Sequence, residues 1–196
     1  MAGKLANIPV MIDFGGSTPP LPMEELLMKH LRPGDIYTHC YASWPKTREP
    51  GVDENGNVKP FVLEAQKSGR IFDVGHGGGS FFWSQAVPAI RQGFIADCIS
   101  SDLHTGSMNS AMKDMCNLLS KFMAMGLSVQ DVILRSTWKP AQVINRPELG
   151  NLSTGSEADI AIFSVEKGSF GFLDNTGEKL SGSQKLVADR QRSNGR

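Results

Sequence analysis

Short apolar runs alternate with segments of helical periodicity along most of this chain. The apolar runs predict buried strands at residues 8–14, 35–40, 70–75 and 96–101. Apolar positions at helical spacing predict helices at residues 22–31, 59–68, 83–92, 108–125, 128–137 and 140–145. Strands that alternate with helices are typical of βαβ units and a parallel sheet. The pattern therefore predicts an α/β fold.

The pattern changes after Pro147. The segment Asp159–Val165 predicts a strand, and the glycine-rich remainder predicts short strands joined by tight turns. We therefore predict a βα region at residues 1–147 and a β-rich segment at residues 148–196. A closed (β/α)8 barrel needs eight strands and typically about 250 residues. This chain has 196 residues, and only about four strands are predicted in its βα region.

Polar residues that can hold a metal ion or move a proton follow each of the four predicted strands. Asp13 ends the first run, His39 the second and His76 the third, while Asp102 and His104 follow the fourth. Parallel α/β barrels build their active sites from residues at the carboxyl ends of their strands. The arrangement points to a metal-assisted hydrolase site.

Three of these residues are candidate metal ligands. A neutral histidine is a common zinc ligand, although His39 would also suit a hydrogen-bonded surface position. Asp102 follows a buried strand, where a carboxylate is costly unless it is paired or bound to metal. It would ligate the ion or shuttle a proton, and its alternative role is a helix N-cap. Asp13 suits a metal ligand and a turn cap equally.

The other candidates are expected on the substrate side. His104 lies beyond its strand, which favours contact with substrate or with a ligand over direct ligation. His76 begins a glycine run, and the backbone N–H groups around Gly77 would suit an oxyanion. A mobile glycine loop without chemistry is the alternative. Asp73 lies inside its strand, so we expect a packed or salt-bridged structural role for it rather than catalysis.

Composition narrows the classes of partner. The chain carries 20 basic and 20 acidic residues, so its charge gives no case for nucleic acid or an anionic membrane. Nowhere does an apolar run approach the roughly 18 residues of a membrane span. Its 3 cysteines lack C-x-x-C spacing, which favours free thiols in a reducing compartment. With no signal pattern near Met1, we expect a cytoplasmic protein.

Several segments together carry a family likeness. They are Arg32–Cys40, Phe72–Gly77, Ile99–His104, Thr137–Ala141, Leu149–Leu152 and Gly155–Ala161. As a set they resemble the amidohydrolase superfamily, specifically its deacetylase-like metallohydrolases near dihydroorotases and D-aminoacylases. The resemblance runs over nearly the whole chain, and it is the set of segments that makes it specific.

The resemblance implies that the four strands are the fifth to eighth of a TIM-type (β/α)8 barrel, followed by part of a small β-sandwich. His39 matches the metal ligand after strand six, and Asp102 matches the aspartate after strand eight. Asp13 stands where the family has a histidine after strand five. The implied roles are metal binding for His39, Asp102 and Asp13, proton transfer for Asp102, and substrate binding for His76, Gly77 and His104.

Two elements of the family pattern have no counterpart in this sequence. They are the His-x-His pair of the first strand and the lysine of the fourth strand, which often bridges two metals. We therefore expect the chain to be the C-terminal half of an enzyme that holds one or two divalent ions, of which zinc is favoured. A half barrel exposes a sheet edge, so we also expect a partner or a homo-oligomer.

The resemblance implies a metal-dependent hydrolase of amide or ester bonds that acts on a small acylated molecule. One alternative is a cyclic-amide hydrolase of dihydroorotase type, whose substrate carries a carboxylate that Arg48 would bind. The other alternative is a fragment or pseudoenzyme subunit without catalytic activity.

Overall fold

Three short parallel strands form the sheet of this protein, whose computed structural model describes residues 2–13, 16–44 and 46–192. They pair in chain order, with Ile36 opposite both Met11 and Ile71. Phe14 and Gly15, at the end of the first predicted strand, lie outside the described residues. The strands are β1 (Met11–Ile12), β2 (Ile36–Tyr37) and β3 (Ile71–Phe72).

The fourth predicted strand continues the sheet beside β3. The backbone N–H of Val74 donates to Cys98 O at 3.1 Å, and that of His76 donates to Ser100 O at 3.2 Å. Asp73 and Cys98 form a parallel bridge. Four parallel segments therefore lie side by side in chain order, and their carboxyl ends meet at one edge of the sheet.

Helices follow the strands, close to the predicted positions. Residues 22–31 begin as an α-helix and continue as a π-helix over Leu26–His30. The helices are α1 (Ala2–Ala6), α2 (Met23–Glu25), α3 (Pro60–Lys67), α4 (Trp83–Arg91), α5 (Thr105–Met108), α6 (Met115–Ala124), α7 (Val129–Ser136) and α8 (Trp138–Val143), followed by a 3-10 turn at Pro147–Leu149. Within the described ranges, no helix is long and apolar enough to cross a membrane.

The predicted helix 108–125 is wrong at its start. Asp114 caps α6 by accepting a hydrogen bond from the Asn117 N–H at 2.7 Å, and Lys113 before it has a φ of 62°. A side-chain cap and a left-handed residue end any helix that arrives from the N-terminal side. The separate short helix α5 therefore precedes α6.

The core lies between the sheet and the helices, and α6 contributes much of it. Phe122 is fully buried, and its ring centroid lies 6.2 Å from that of Tyr41 and 5.9 Å from that of Phe81. Met112 is fully buried as well, and Met115 packs against the same core. The apolar stripe of this region is core packing.

The C-terminal segment is one long antiparallel hairpin of β4 (Ile160–Leu173) and β5 (Lys179–Arg192). The prediction of several short strands was wrong, because the glycines at positions 168, 171 and 182 lie within the strands rather than at turns. Among the described residues this segment shows two strands and no second sheet. The boundary near residue 147 and the partial sandwich stay predictions, and residues 193–196 lie outside the described part.

The hairpin packs on the βα region through its tip and through β5. The carboxylate of Asp174 accepts from the backbone N–H of Trp83 at 2.9 Å, and the indole of Trp83 donates to Glu178 O at 3.1 Å. Further along β5, the N–H of Leu186 donates to the Ser120 hydroxyl at 2.8 Å. These contacts join the hairpin to α4 and α6.

Candidate active site

Buried Asp73 ties three strand ends together. Its Oδ2 accepts hydrogen bonds from the hydroxyl of Thr38 at 2.6 Å and from the hydroxyl of Ser100 at 2.7 Å. Burial raises the pKa of the Asp73 carboxyl, and these hydrogen bonds oppose the rise. The packing role expected for Asp73 is confirmed, because its carboxylate fixes the edge of the sheet at which the other candidates lie.

His39 follows β2 with both ring nitrogens engaged. Its Nδ1 lies 2.6 Å from Gly75 O, and its Nε2 lies 3.0 Å from Oδ1 of Asp13. A carbonyl oxygen only accepts, so Nδ1 carries the hydrogen, and this orients Nε2 toward the carboxylate. The backbone of His39 is left-handed, with a φ of 59°. Left-handed non-glycine residues are strained, and they cluster at functional sites.

Arg48 stabilises the backbone at the end of β2, next to the His39 side chain. Its guanidinium donates to Thr38 O at 2.7 Å and to His39 O at 3.4 Å, and it lies 5.1 Å from the centroid of the Tyr37 ring. The side chain is buried, with 2 % of its surface exposed. The structure thus turns Arg48 inward, away from the role of substrate-carboxylate ligand that the cyclic-amide alternative gave it.

Asp102 and His39 lie against two glycines of one turn. The turn follows β3, and Gly75 and Gly77 both have positive φ, at 45° and 53°. A Cβ built on Gly75 would lie 2.7 Å from His39 Nδ1, and one built on Gly77 would collide with Oδ2 of Asp102. Asp102 is itself left-handed, with a φ of 49°, and is exposed to solvent. Only glycine permits the turn to approach both side chains this closely.

Replacing Gly77 with alanine tests this approach, and Gly93→Ala is its matched control. Gly93 also has a positive φ, of 85°, but a Cβ there meets nothing within 4 Å. The control therefore carries only the left-handed strain of about 1–2 kcal/mol. At Gly77 the added Cβ meets the far end of the exposed Asp102 side chain, which can rotate away. We therefore expect Gly77→Ala to displace the Asp102 carboxylate while costing about as much as Gly93→Ala in the free energy of unfolding. It should also shift the NMR amide signal of Asp102, and the absence of such a shift would contradict the contact.

His104 lies beside the same turn and caps α5. Its Nδ1 accepts from the Gly106 N–H at 3.1 Å, while its own N–H donates to the Ser107 hydroxyl at 2.8 Å. The N-cap role that was the alternative for Asp102 is therefore filled by His104 at this helix. The ring of His104 is exposed, near the position of Gly78. Contact with a substrate stays a prediction for it.

The structure places His76 in the interior, which corrects the expectation that it faces substrate. None of its surface is exposed, and its ring stacks on Phe81 at 4.6 Å. Its Nδ1 lies 2.9 Å from Gly77 O, and its Nε2 lies 2.6 Å from Nζ of Lys121. Burial, together with the charge of Lys121, lowers the pKa of His76 to about 3. The neutral, buried imidazole of His76 therefore stabilises the turn from the core side, through the Gly77 carbonyl.

Lys121 is the residue near this site that sequence reasoning missed. It is fully buried on α6, and burial lowers its pKa to about 7. Position 121 is three residues after Leu118 and four before Met125, so it lies on the apolar face of the helix. A lysine on the apolar face of a predicted helix is unusual, and this was the sequence signal that could have identified Lys121.

The side chains at this edge of the sheet provide some of the ligands that a divalent ion requires. Within the described ranges, no group of three His, Cys, Asp or Glu residues is close enough to share an ion. Two donors do meet, because His39 Nε2 and an oxygen of exposed Asp13 are 3.0 Å apart. An imidazole oriented through its other nitrogen, facing a carboxylate, fits two ligands of a divalent ion. The pair supplies part of a ligand set.

Comparison with known proteins places the chain among amidohydrolases. The model of the amidohydrolase family matches residues 83–186. A deacetylase of Brucella anthropi is 31% identical over 175 residues, which cover 89% of this chain and 42% of the relative. A deacetylase of Agrobacterium fabrum is 30% identical over 175 residues, again 89% of this chain and 42% of the relative.

Solved structures give the same result for the fold. The crystal structure of an adenine deaminase superposes with a TM-score of 0.86 at 26% identity, over 96% of this chain and 50% of that one. The crystal structure of a dihydroorotase superposes with a TM-score of 0.80 at 28% identity, over 96% of this chain and 48% of that one. The chain thus spans about half the length of the proteins it matches. The resemblance seen in the sequence is confirmed: the chain belongs to the amidohydrolase family.

Proposed function

We propose that this protein is a metal-dependent hydrolase of amide or ester bonds, of the deacetylase type. The observation that carries the proposal is the shared turn, which brings His39 and Asp102 to one edge of the sheet. Both residues adopt left-handed backbone conformations that cost free energy, and the surrounding fold maintains them. Together with the contact to the shared turn, this strain supports the proposal that the positions of the two side chains matter for function.

Asp102 is the residue we assign to proton transfer. Its carboxylate is exposed, so a substrate and a water molecule reach it. As a general base it would take a proton from the attacking water, and as a general acid it would return that proton to the leaving nitrogen or oxygen. The contact with Gly77 sets the place of the carboxylate on the turn.

His39 and Asp13 are the residues that would hold a divalent ion, for which we propose zinc. Such an ion supplies Lewis acidity, which polarises a carbonyl and makes water a better nucleophile. Family members generally use divalent metals. The chain's own contribution is orientation: the Gly75 carbonyl orients the imidazole, Arg48 holds the backbone carbonyl of His39, and Asp13 lies across from Nε2. The full-length enzyme would hold one or two such ions.

The substrate we propose is a small acylated molecule such as an N-acetyl amino acid. Two relatives are named deacetylases, which supports removal of an acyl group. The dihydroorotase neighbour supports a cyclic amide as the second candidate. The inward position of Arg48 does not separate the two candidates, because an N-acetyl amino acid also carries a carboxylate. The two deacetylase relatives, which match 89% of this chain, favour the first.

Metal analysis and a substrate panel on the purified chain test the proposal. We expect stoichiometric zinc, hydrolysis of N-acetyl amino acids or acetate esters, loss of the activity after chelation and its return when zinc is restored. Hydrolysis of dihydroorotate alone would favour the cyclic-amide candidate. A chain that binds no metal and hydrolyses nothing would contradict activity for these 196 residues and favour the fragment or pseudoenzyme alternative, without bearing on a full-length enzyme.

A further inference from the structure

A buried polar link runs from α6 to the turn that carries Asp102. Lys121 Nζ lies 2.6 Å from His76 Nε2 and donates to Ala111 O at 2.9 Å. The same nitrogen lies 5.2 Å from the centroid of the Phe81 ring and 5.7 Å from that of Trp83. Lys121 and His76 have no exposed surface, so this link is formed entirely inside the core.

The hydrogen-bonding capacities of the two side chains match in one protonation state. Nδ1 of His76 faces the carbonyl of Gly77, so it carries the hydrogen and leaves Nε2 as an acceptor. A neutral lysine amine has two N–H donors, and two acceptors are present, His76 Nε2 and Ala111 O. A third proton would meet only the faces of the Phe81 and Trp83 rings, by a cation–π contact.

Few charges face this amine. Asp174, at the hairpin tip, favours its protonated form, and Lys113, before α6, opposes it. The carboxylate of Asp174 is occupied by the backbone N–H of Trp83 and by its own turn. Burial is the largest influence and lowers the pKa of Lys121 to about 7. The amine therefore changes protonation state close to neutral pH.

The link ends at Asp102. His76 holds the Gly77 carbonyl, and the N–H of Gly77 donates to Ser101 O at 3.0 Å, next to Asp102 in the chain. The position of Gly77 is bounded by the Asp102 carboxylate, which leaves no space even for a Cβ. A change at His76 thus reaches the carboxylate through a single residue, Gly77.

We propose that Lys121 is a positioning residue, which holds the Gly77 turn against the Asp102 carboxylate through His76. The proposal rests on the proposed function in one respect, namely that Asp102 does the chemistry whose geometry is being set. The coupling itself is a property of the fold and is measurable without substrate.

NMR titration of the labelled chain tests the coupling. In the wild type, we expect the amide signals of Gly77 and Asp102 to move with a midpoint near pH 7, together with the Cε signal of Lys121. The test variant is the double substitution Lys121→Met and His76→Phe, which replaces both partners by apolar groups of similar size and so preserves packing. It should lose the titration step, and its Gly77 amide should exchange with solvent about tenfold faster.

Lys67→Met, at the exposed end of α3, is the matched control and should keep the wild-type titration and exchange rate. A titration step that survives in the folded double variant would overturn the proposal, because a group other than Lys121 would then be its source. Unchanged Gly77 exchange in that variant would overturn it as well. If the double variant does not fold, Lys121→Met alone is measured by the same criteria. Hydrolysis of N-acetyl substrates by the wild type, assayed on the same samples, tests the proposed function separately.

Discussion

Asp102→Asn is expected to lower the hydrolysis of acetylated substrates by about 10²–10⁴-fold, the contribution typical of a general acid–base. The loss should appear in kcat, because the amide cannot accept or return a proton whereas its shape still fits the site. Asparagine also tolerates the left-handed backbone that this position has, at a φ of 49°. The variant should therefore fold like the wild type, with zinc content and thermal unfolding confirming that only proton transfer is lost.

Asp159→Asn is the control for the removal of one carboxylate. Asp159 is likewise exposed, but it precedes β4 and lies outside the proposed catalytic groups. Its activity should stay within about twofold of the wild type. If Asp102→Asn also stays close to the wild type, the proton must be moved by another group, and exposed His104 on the same side of the turn would be examined next.

The edge of the sheet was predictable from the sequence because strand and helix periodicities differ. Apolar runs that end in Asp13, His39 and Asp102 indicated a shared carboxyl edge, and the backbone pairing of the four segments agrees with it. The contact of the Gly75–Gly77 turn with two of these side chains was not predictable. It depends on positive φ angles at both glycines and on tertiary distances, which no local pattern records.

The position of His76 shows where reasoning along the chain fails. A histidine within a glycine run suggested a residue that faces substrate, yet its ring is stacked on Phe81 and hydrogen-bonded to Lys121, 45 residues later in the chain. Buried polar groups need partners, and such partners come from elements that are distant in sequence. The prediction of several short strands after residue 147 failed for a different reason. The glycines of this segment lie within the two long strands of the hairpin, whereas the sequence suggested turns there.

His39→Asn is expected to weaken zinc binding by more than about 100-fold, because loss of an outer-shell partner alone typically costs 10–100-fold. Asparagine is chosen over alanine since it tolerates the φ of 59° at this position, so the backbone turn is retained. The measurement is calorimetric titration of the metal-free chain with zinc, with circular dichroism to confirm folding. Activity toward N-acetyl substrates should fall in parallel if the ion supplies the Lewis acid.

The control for His39→Asn is His30→Asn, at an exposed histidine that ends the π-helix. This variant should bind zinc like the wild type. The orientation of His39 provides a second comparison, because its Nδ1 faces the carbonyl of Gly75 at 2.6 Å and leaves only Nε2, beside Asp13, for a metal. Asp13→Asn should therefore weaken zinc binding in the same direction. Zinc affinity that is unchanged in both His39→Asn and Asp13→Asn would show that the pair is a surface hydrogen bond, and the ligands would have to be sought elsewhere.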